Sequence, residues 1–294
     1  MRTFFIIIAS LLTVLLWAAT LFGAHVWILD LIAEGALYVG IMIIIHGMIL
    51  CAYRSWGWVT ILGAGIGAYI VIFVIPVTIF STPLKKIPAH PDIFFMNTLF
   101  FNERTKVISD VIAHLDPVAV ALVEPNPQII STVAKQYGKP LAYHNNEGLS
   151  CAIFSHQKPV DAFVADALYP ICITEFDSYV LIVAHPIPPY TPRYWHDQQL
   201  YFAHLADRIS AYRNNHMPVL LVGDFNSSWF SATLRKDFSA YRSRSFLSWH
   251  GLQNIALAID HLMGIETPPI TTYMLPQMTS DHRAIVGFFA DMPK

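Results

Sequence analysis

Charge is spread so unevenly along this chain of 294 residues that its first 80 residues and the remainder call for different surroundings. Residues 4–29, 35–53 and 55–80 contain no Asp, Glu, Lys or Arg. A helix crossing a bilayer needs roughly 20 mostly apolar residues. Three spans are therefore expected, Phe4–Phe22, Ala36–Ala52 and Trp58–Phe80, joined by tight turns near Asp30–Glu34 and at Tyr53–Trp56. Gly63, Gly65 and Gly67 offer small faces for close helix packing. His46 falls at membrane depth, where an ionisable group is a functional candidate; a neutral imidazole bonded to a neighbouring helix is the blander reading. A cleaved signal peptide would explain the first span alone. Two more spans follow without an intervening domain, and a bundle explains all three. Arg2 and Arg54 on the inside would place the remainder of the chain outside, although Lys85 and Lys86 pull the other way.

The rest of the chain is close to neutral, and the whole carries a formal charge of −2. A nucleic-acid binder usually shows a basic surface, and only "RKDFSAYRSR" (235–244) is locally basic. The three cysteines, Cys51, Cys151 and Cys172, lack zinc-type spacing. Cys151 and Cys172 lie in neighbouring strand-like runs and read either as a disulfide or as two buried thiols. The Pro-rich "STPLKKIPAHPD" (81–92) marks an exit from the apolar region. The expected organisation is a three-span region over 1–80, a linker over 81–91 and a catalytic domain over 92–294.

From residue 93 onward, apolar runs alternate with helical periodicity. Strands are expected at 93–100, 118–124, 151–155, 170–176, 178–184, 218–222, 259–263 and 284–289. Helices are expected at 103–115, 127–137 and 197–213. This order suggests two packed β-layers flanked by helices.

Several of these runs end in polar residues: Asn97, Glu124, His185, Asp224 with Asn226, Asp260, and Ser280–Asp281–His282. Each alone reads as a cap or a satisfied core group. Together they stand where a sheet scaffold can aim them into one cleft. In "LLVGDFNSSW" (220–229), Asp224 and Asn226 are two residues apart and so share one face of an extended segment. Carboxylates, a carboxamide and imidazoles suit a hard divalent cation and a phosphate, because Mg²⁺ takes oxygen ligands and few carboxylates. A His paired with an Asp can carry a proton or stabilise an oxyanion.

An ordered series, "MNTLF", "VALVEP", "AIFSH", "VAHPIPP", "LLVGDFNSS", "AIDHLM" and "TSDHRAIV", resembles the endonuclease/exonuclease/phosphatase superfamily over about residues 92–290, in particular its membrane-attached bacterial branch. The resemblance implies a four-layer α/β-sandwich, two packed mixed β-sheets flanked by helices, here preceded by the three transmembrane helices. It implies that Glu124 is the metal-binding acid, supported by Asn97, with Asp281 a second metal-side carboxylate. Asp224 would orient or deprotonate the attacking water, and Asn226 would fix phosphate and that aspartate. His282, oriented by Asp260, would contact the scissile phosphate, and His185 would act as acid or phosphate contact. Ser155 joins His185 and Asn226 as a substrate-binding position. Mg²⁺ is the expected cofactor, with Mn²⁺ as the substitute. Val123, His156 and Ala284 stand where the family often has Gln, Arg and Pro; none of these departures removes a catalytic group.

The resulting expectation is a multi-pass protein of the bacterial inner membrane with its catalytic domain on the extracytoplasmic side. Its substrate would be a phosphate ester or diphosphate, lipid-linked in preference to nucleic acid, with membrane lipids as neighbours and no obligate protein partner. A metal-dependent nuclease is the alternative, and a non-catalytic binding protein on the same fold is the second. Phe225, Trp229, Phe246 and Trp249 read as packing, and Tyr194 and Trp195 as cleft-mouth or membrane-belt aromatics.

Overall fold

The computed structural model describes residues 2–36, 38, 40–41, 77–78, 80–146, 148–165, 169–252, 255–268 and 270–290. Helices α1 (Arg2–Phe22) and α2 (Trp27–Glu34) come first, and strand β1 (Val77–Thr78) follows. Next are β2 (Ile93–Asn97), α3 (Thr105–Leu115), β3 (Ala119–Val123), α4 (Pro127–Tyr137), β4 (Ala142–His144) and β5 (Cys151–Ser155). The chain continues through β6 (Asp161–Ala165), β7 (Ile171–Glu175), β8 (Val180–Ala184), α5 (Pro192–Asn214), β9 (Val219–Asp224) and α6 (Ala232–Phe238). It ends with β10 (Arg242–Phe246), β11 (Trp249–Leu252), β12 (Ile255–Leu257), β13 (Asp260–Ile265), β14 (Ile270–Met274) and β15 (Ile285–Phe289).

Among the described residues these strands form a seven-stranded sheet, β1-β10-β13-β9-β8-β7-β6, a six-stranded sheet, β14-β15-β2-β3-β5-β4, and the hairpin β11-β12. The two large sheets are mixed. Each carries a parallel pair, β2 with β3 and β8 with β9, and the crossovers are α3 and α5. Side-chain alternation builds three apolar layers. Ile93, Phe95, Leu220 and Val222 face the space between the sheets. Phe94 and Met96 face α3 and α4, and Val219 and Leu221 face α5 and α6. Both faces of the central strands are buried, so those strands read as unbroken apolar runs.

Cys151 and Cys172 form a disulfide with a Cα–Cα distance of 6.1 Å, joining β5 of one sheet to β7 of the other. The bridge closes a 21-residue separation, and constraint of the unfolded chain by such a loop stabilises by roughly 3 kcal/mol.

The N-terminal expectation is corrected. The first expected span coincides with α1, but among the described residues no helix is long and apolar enough to cross a membrane. Instead α1 buries Ala19 and packs Leu12 against the apolar layer that covers the seven-stranded sheet. The second and third spans, with His46 and Gly63–Gly67, lie almost wholly in 42–76, outside the described residues. The expected water-side turn at Asp30–Glu34 is the end of α2, and Asp30 is buried. The three-span bundle and the multi-pass inner-membrane location are therefore withdrawn.

His261 on β13 is a buried core imidazole. Its Nε2 lies 2.7 Å from the Ser227 carbonyl and its Nδ1 lies 3.0 Å from Ser245 Oγ. A neutral ring with its proton on Nε2 donates to the first and accepts from the second. Burial lowers its pKa from 6.5 to about 4. The unfolded chain takes up this proton first, so the contribution of His261 to stability is complete above pH 6.5 and drains away as pH falls towards 4. Wild type should lose up to about 3 kcal/mol more than His261→Gln between pH 7 and pH 4, read from urea midpoints at each pH. Equal losses in the two proteins would show that His261 carries no such term.

Candidate active site

The parallel pairs β2–β3 and β8–β9 end at the same edge of the sandwich, and the polar residues that follow them meet there. Asn97, the last residue of β2, donates from Nδ2 to Glu124 Oε1 at 2.9 Å and to Asp224 Oδ2 at 3.0 Å. Its Oδ1 accepts from the Leu99 amide at 2.9 Å. Glu124 comes one residue after β3 with a left-handed φ of 51°. A non-glycine residue in that region costs energy and tends to mark a functional position. Its other oxygen accepts from the Phe100 amide at 3.3 Å. Burial raises its pKa, against the hydrogen bonds from Asn97 and Phe100.

Asp224 ends β9. Gly223 precedes it because β8 runs too close for any side chain: a Cβ there would sit 2.1 Å from the Ala184 carbonyl oxygen. Asn226 turns the chain with φ 48°, a conformation Asn tolerates better than most residues. Its amide donates to Asp224 Oδ1 at 2.9 Å, and its side chain donates to the Pro186 carbonyl at 3.0 Å. The loop after β8 is thereby tied to the loop after β9. His185 places Nε2 at 3.6 Å from Glu124 Oε1 and 3.9 Å from Asp224 Oδ2. Its Nδ1 is buried and without a hydrogen-bond partner. Burial lowers its pKa despite the pull of Asp224, so it is neutral near pH 7.

Antiparallel pairing sets Asp260, the first residue of β13, directly opposite Asp224. Asp260 Oδ2 accepts from His282 Nδ1 at 2.8 Å and also from Ser248 Oγ. His282 Nε2 lies 3.4 Å from Asp224 Oδ2. Burial alone would lower the pKa of His282, but Asp260 and Asp224 outweigh it and lift it to about 10. Burial raises Asp224 to about 6, with His282 opposing. The site therefore holds an imidazolium beside a carboxylate whose proton affinity lies near neutrality.

Asp281 stands next to this pair. Its Oδ2 accepts from Trp249 Nε1 at 3.0 Å, and its carbonyl accepts from the His250 amide at 2.8 Å. Ser155 is not brought together with these residues. Strand β5 runs antiparallel to β3, so Ser155 pairs with Ala119 at the far end of the sheet, and its hydroxyl donates to the Val118 carbonyl. Cys151, at the other end of β5, pairs with Val123 beside Glu124.

Among the described residues, two groups have ligand atoms within 4.8 Å of one another: Glu124–His185–Asp224 and Asp224–Asp260–His282. Oxygen and imidazole donors without thiolates suit a hard or borderline divalent ion. The first group has donors of that kind, with His185 Nε2 facing Glu124 Oε1 and Asp224 Oδ2. The second is better described as a proton pair, since Asp260 Oδ2 is already taken by His282 and Ser248. A cavity of about 350 Å³ beside Arg213, Gly264 and Thr267 lies at the opposite end of β13 and holds none of this chemistry.

Ser248, which the sequence did not single out, and Trp249, read there as packing, complete the site, and Trp195 makes a polar contact away from it. Ser248 holds Asp260, Trp249 holds Asp281, and Trp195 donates to Asp30 Oδ2 at 3.0 Å. The two tryptophans thus make polar contacts rather than simple packing or membrane-belt contacts. No spacing motif marks Ser248 or Trp249, because both reach the site from the β10–β13 excursion. The nearest signal is Gly251, where a Cβ would sit 2.1 Å from the Trp249 ring.

Three solved structures show the same fold at low identity. Truncated TDP2 of Caenorhabditis elegans matches with a TM-score of 0.53 and 15% identity, covering 67% of this chain and 97% of that one. The 3′ phosphatase NExo from Neisseria, bound to a product DNA hairpin, matches with a TM-score of 0.55 and 13% identity, covering 68% and 99%. An AP endonuclease from Archaeoglobus fulgidus matches with a TM-score of 0.54 and 12% identity, covering 68% and 99%. None of these is described as lipid-directed, which leaves the expected lipid preference without support. No curated protein matches the sequence. Residues 95–282 match the Endonuclease/Exonuclease/phosphatase family and span every polar group assembled above, so the chain belongs to that family of phosphohydrolases.

Proposed function

We propose that the chain is a divalent-metal-dependent hydrolase of nucleic-acid phosphoesters, with Mg²⁺ as its working ion and Mn²⁺ as a substitute. The observation that carries this reading is the convergence of Asn97, Glu124, His185, Asp224 and the His282–Asp260 pair from two sheets, each with a polar atom within 4 Å of a neighbour's. Glu124 and Asp281 would hold the ion on the metal side, with Asn97 fixing the Glu124 carboxylate. When bound, the ion neutralises charge on phosphoryl oxygens and favours ionisation of water.

The protein groups have separate tasks. Asp224 accepts the proton of the attacking water, its affinity already raised by burial towards that of a useful base. His282 presents its Nε2 proton to a phosphoryl oxygen, while Asp260 and Ser248 hold the ring and keep it charged. His185, neutral, offers a hydrogen bond to phosphate or leaving group. Asn226 positions Asp224 through its amide and has a second side-chain N–H for substrate.

Nucleic acid is preferred over lipid for two reasons besides the solved relatives, two of which are a DNA-bound phosphatase and an AP endonuclease. Phe101 is 79% exposed next to Phe100, whose amide holds Glu124, and Tyr190 is 71% exposed. The Tyr190 hydroxyl has its pKa raised by partial loss of water and by the negative charge of Asp224, Glu124 and Asp281. Exposed rings at the rim of a phosphate site suit base stacking. The lipid reading rested on a membrane tether, which has been withdrawn.

With Mg²⁺ or Mn²⁺, full-length protein should hydrolyse single-stranded or duplex DNA, RNA or a 3′-phosphorylated oligonucleotide. Asp224→Ala should be slower by roughly 1,000-fold. Turnover of a polyprenyl diphosphate alone would overturn the nucleic-acid assignment, and no turnover with either ion would favour a binding protein. Glu124→Gln should raise the Mg²⁺ concentration for half-maximal rate roughly tenfold or more, with little change in thermal midpoint; an unchanged requirement would remove Glu124 from the metal. His282→Ala and Asp260→Ala should each cut kcat/KM roughly 100-fold or more. The double variant should be scarcely worse than His282→Ala, because the two act as a unit. Fully additive losses would dissolve the pair.

A further inference from the structure

The family match begins at residue 95, yet the chain before it touches three of the loops that border the active site. Trp27 Nε1 donates to the Pro189 carbonyl at 2.8 Å, in the loop that carries His185 and Tyr190. Glu34 Oε2 accepts the Ser228 amide at 2.5 Å, two residues after Asn226. Asp30 Oδ1 accepts from Ser231 Oγ and the Ala232 amide, both at 2.9 Å, where the same loop enters α6. The Tyr38 hydroxyl donates to the Ala256 carbonyl and accepts from the Ala256 amide, both at 2.7 Å, on the hairpin whose Trp249 holds Asp281.

We propose that the segment around Trp27, Asp30, Glu34 and Tyr38 is a built-in brace that sets the geometry of three of the active-site loops, with Glu34 the positioning residue for the Asp224–Asn226 turn. This deepens the hydrolase reading and rests on it for its kinetic consequence.

The physical case is strongest at Glu34. The turn it holds contains Asn226 in a left-handed conformation, which persists only where surroundings over-determine it. The rest of that turn is already committed. The Ser227 carbonyl accepts from His261, the Ser227 hydroxyl donates to Gln198 Oε1, and Gln198 Nε2 donates to the carbonyls of Ile187 and Phe225. The Ser228 amide is held by Glu34, so truncating the carboxylate leaves that N–H unpaired and lets the turn relax. Asp224 takes its orientation from the Asn226 amide, so the relaxation reaches the proposed base directly. Reactive groups displaced by fractions of an ångström slow chemistry while leaving substrate affinity largely intact.

The test uses full-length Glu34→Ala and Glu34→Gln, the second of which keeps an acceptor oxygen for Ser228. Glu34→Ala should lower kcat roughly 10- to 100-fold with KM nearly constant, and Glu34→Gln should recover most of the rate. Hydrogen exchange at the Ser228 amide should accelerate in Glu34→Ala and remain protected in Glu34→Gln. Trp27→Phe, which keeps an aromatic ring but removes the indole N–H, should loosen exchange at the Ile187 and Tyr190 amides without touching 226–230. Wild-type kcat and exchange in Glu34→Ala would overturn the brace, as would a fall in thermal midpoint with kcat unchanged. If the wild-type protein hydrolyses no phosphoester, the functional reading fails by itself, and the exchange pattern still decides whether the segment holds the loops.

Discussion

Two carboxylates from different sheets are held side by side by one carboxamide, and the rest of the site is arranged around that contact. Asn97 spends both side-chain N–H groups on Glu124 and Asp224. Bringing two buried acids together is unfavourable, and an amide that donates to both offsets part of the cost without adding charge. The arrangement requires β2, β3 and β9 to finish at one level. That level is set by the in-register pairing of Asn97 with Val123 on one sheet and of Asp224 with Asp260 on the other. A slip of one residue in either pairing would turn Asn97 or Asp224 to the wrong face.

Much of this was legible in the sequence because buried strands advertise their ends. The runs before Glu124, His185 and Asp224 stop within two residues of the expected points, the first strand stops at Asn97 rather than at 100, and helix α4 occupies 127–137 as expected. What failed did so for physical reasons. Strands β4, β6 and β14 are edge or near-edge strands with mixed polarity, and they lack the apolar run that central strands show. Helix α5 begins at Pro192 rather than 197, because Thr191 caps it and Pro is tolerated in a first turn. Ser155 shares a motif with the site series, but strand direction places it at the Ala119 end of β5. Ser248 and Trp249 carry no spacing signal, since tertiary return of the chain, not local pattern, delivers them.

The N-terminal segment shows what hydropathy leaves out. Long charge-free stretches read as spans separated by a water-side turn at Asp30–Glu34. In the structure those two acids are the segment's points of attachment, Asp30 to the start of α6 and Glu34 to Ser228. Their burial is tolerable because donors are waiting: two amides, a serine hydroxyl and the Trp195 indole. A few acids in an apolar segment can thus mark where it docks, and the sequence that discriminates docking from a turn lies two hundred residues away.

The electrostatics of the cleft constrain its substrate as well as its chemistry. Glu124, Asp224, Asp260 and Asp281 gather around a single imidazolium, His282, in a region largely removed from water. A phosphate group approaching these acids alone would be repelled, since like charges interact strongly where water is excluded. On the proposed reading, a divalent cation held by these acids would offset that repulsion, so binding as well as catalysis would depend on it. The same logic shows how, on the proposed nucleic-acid reading, a chain of net charge −2 would serve a polyanionic substrate without a broad basic surface. The attraction is concentrated at the reacting phosphate, and exposed rings such as Phe101 and Tyr190 can supply contact that salt does not screen.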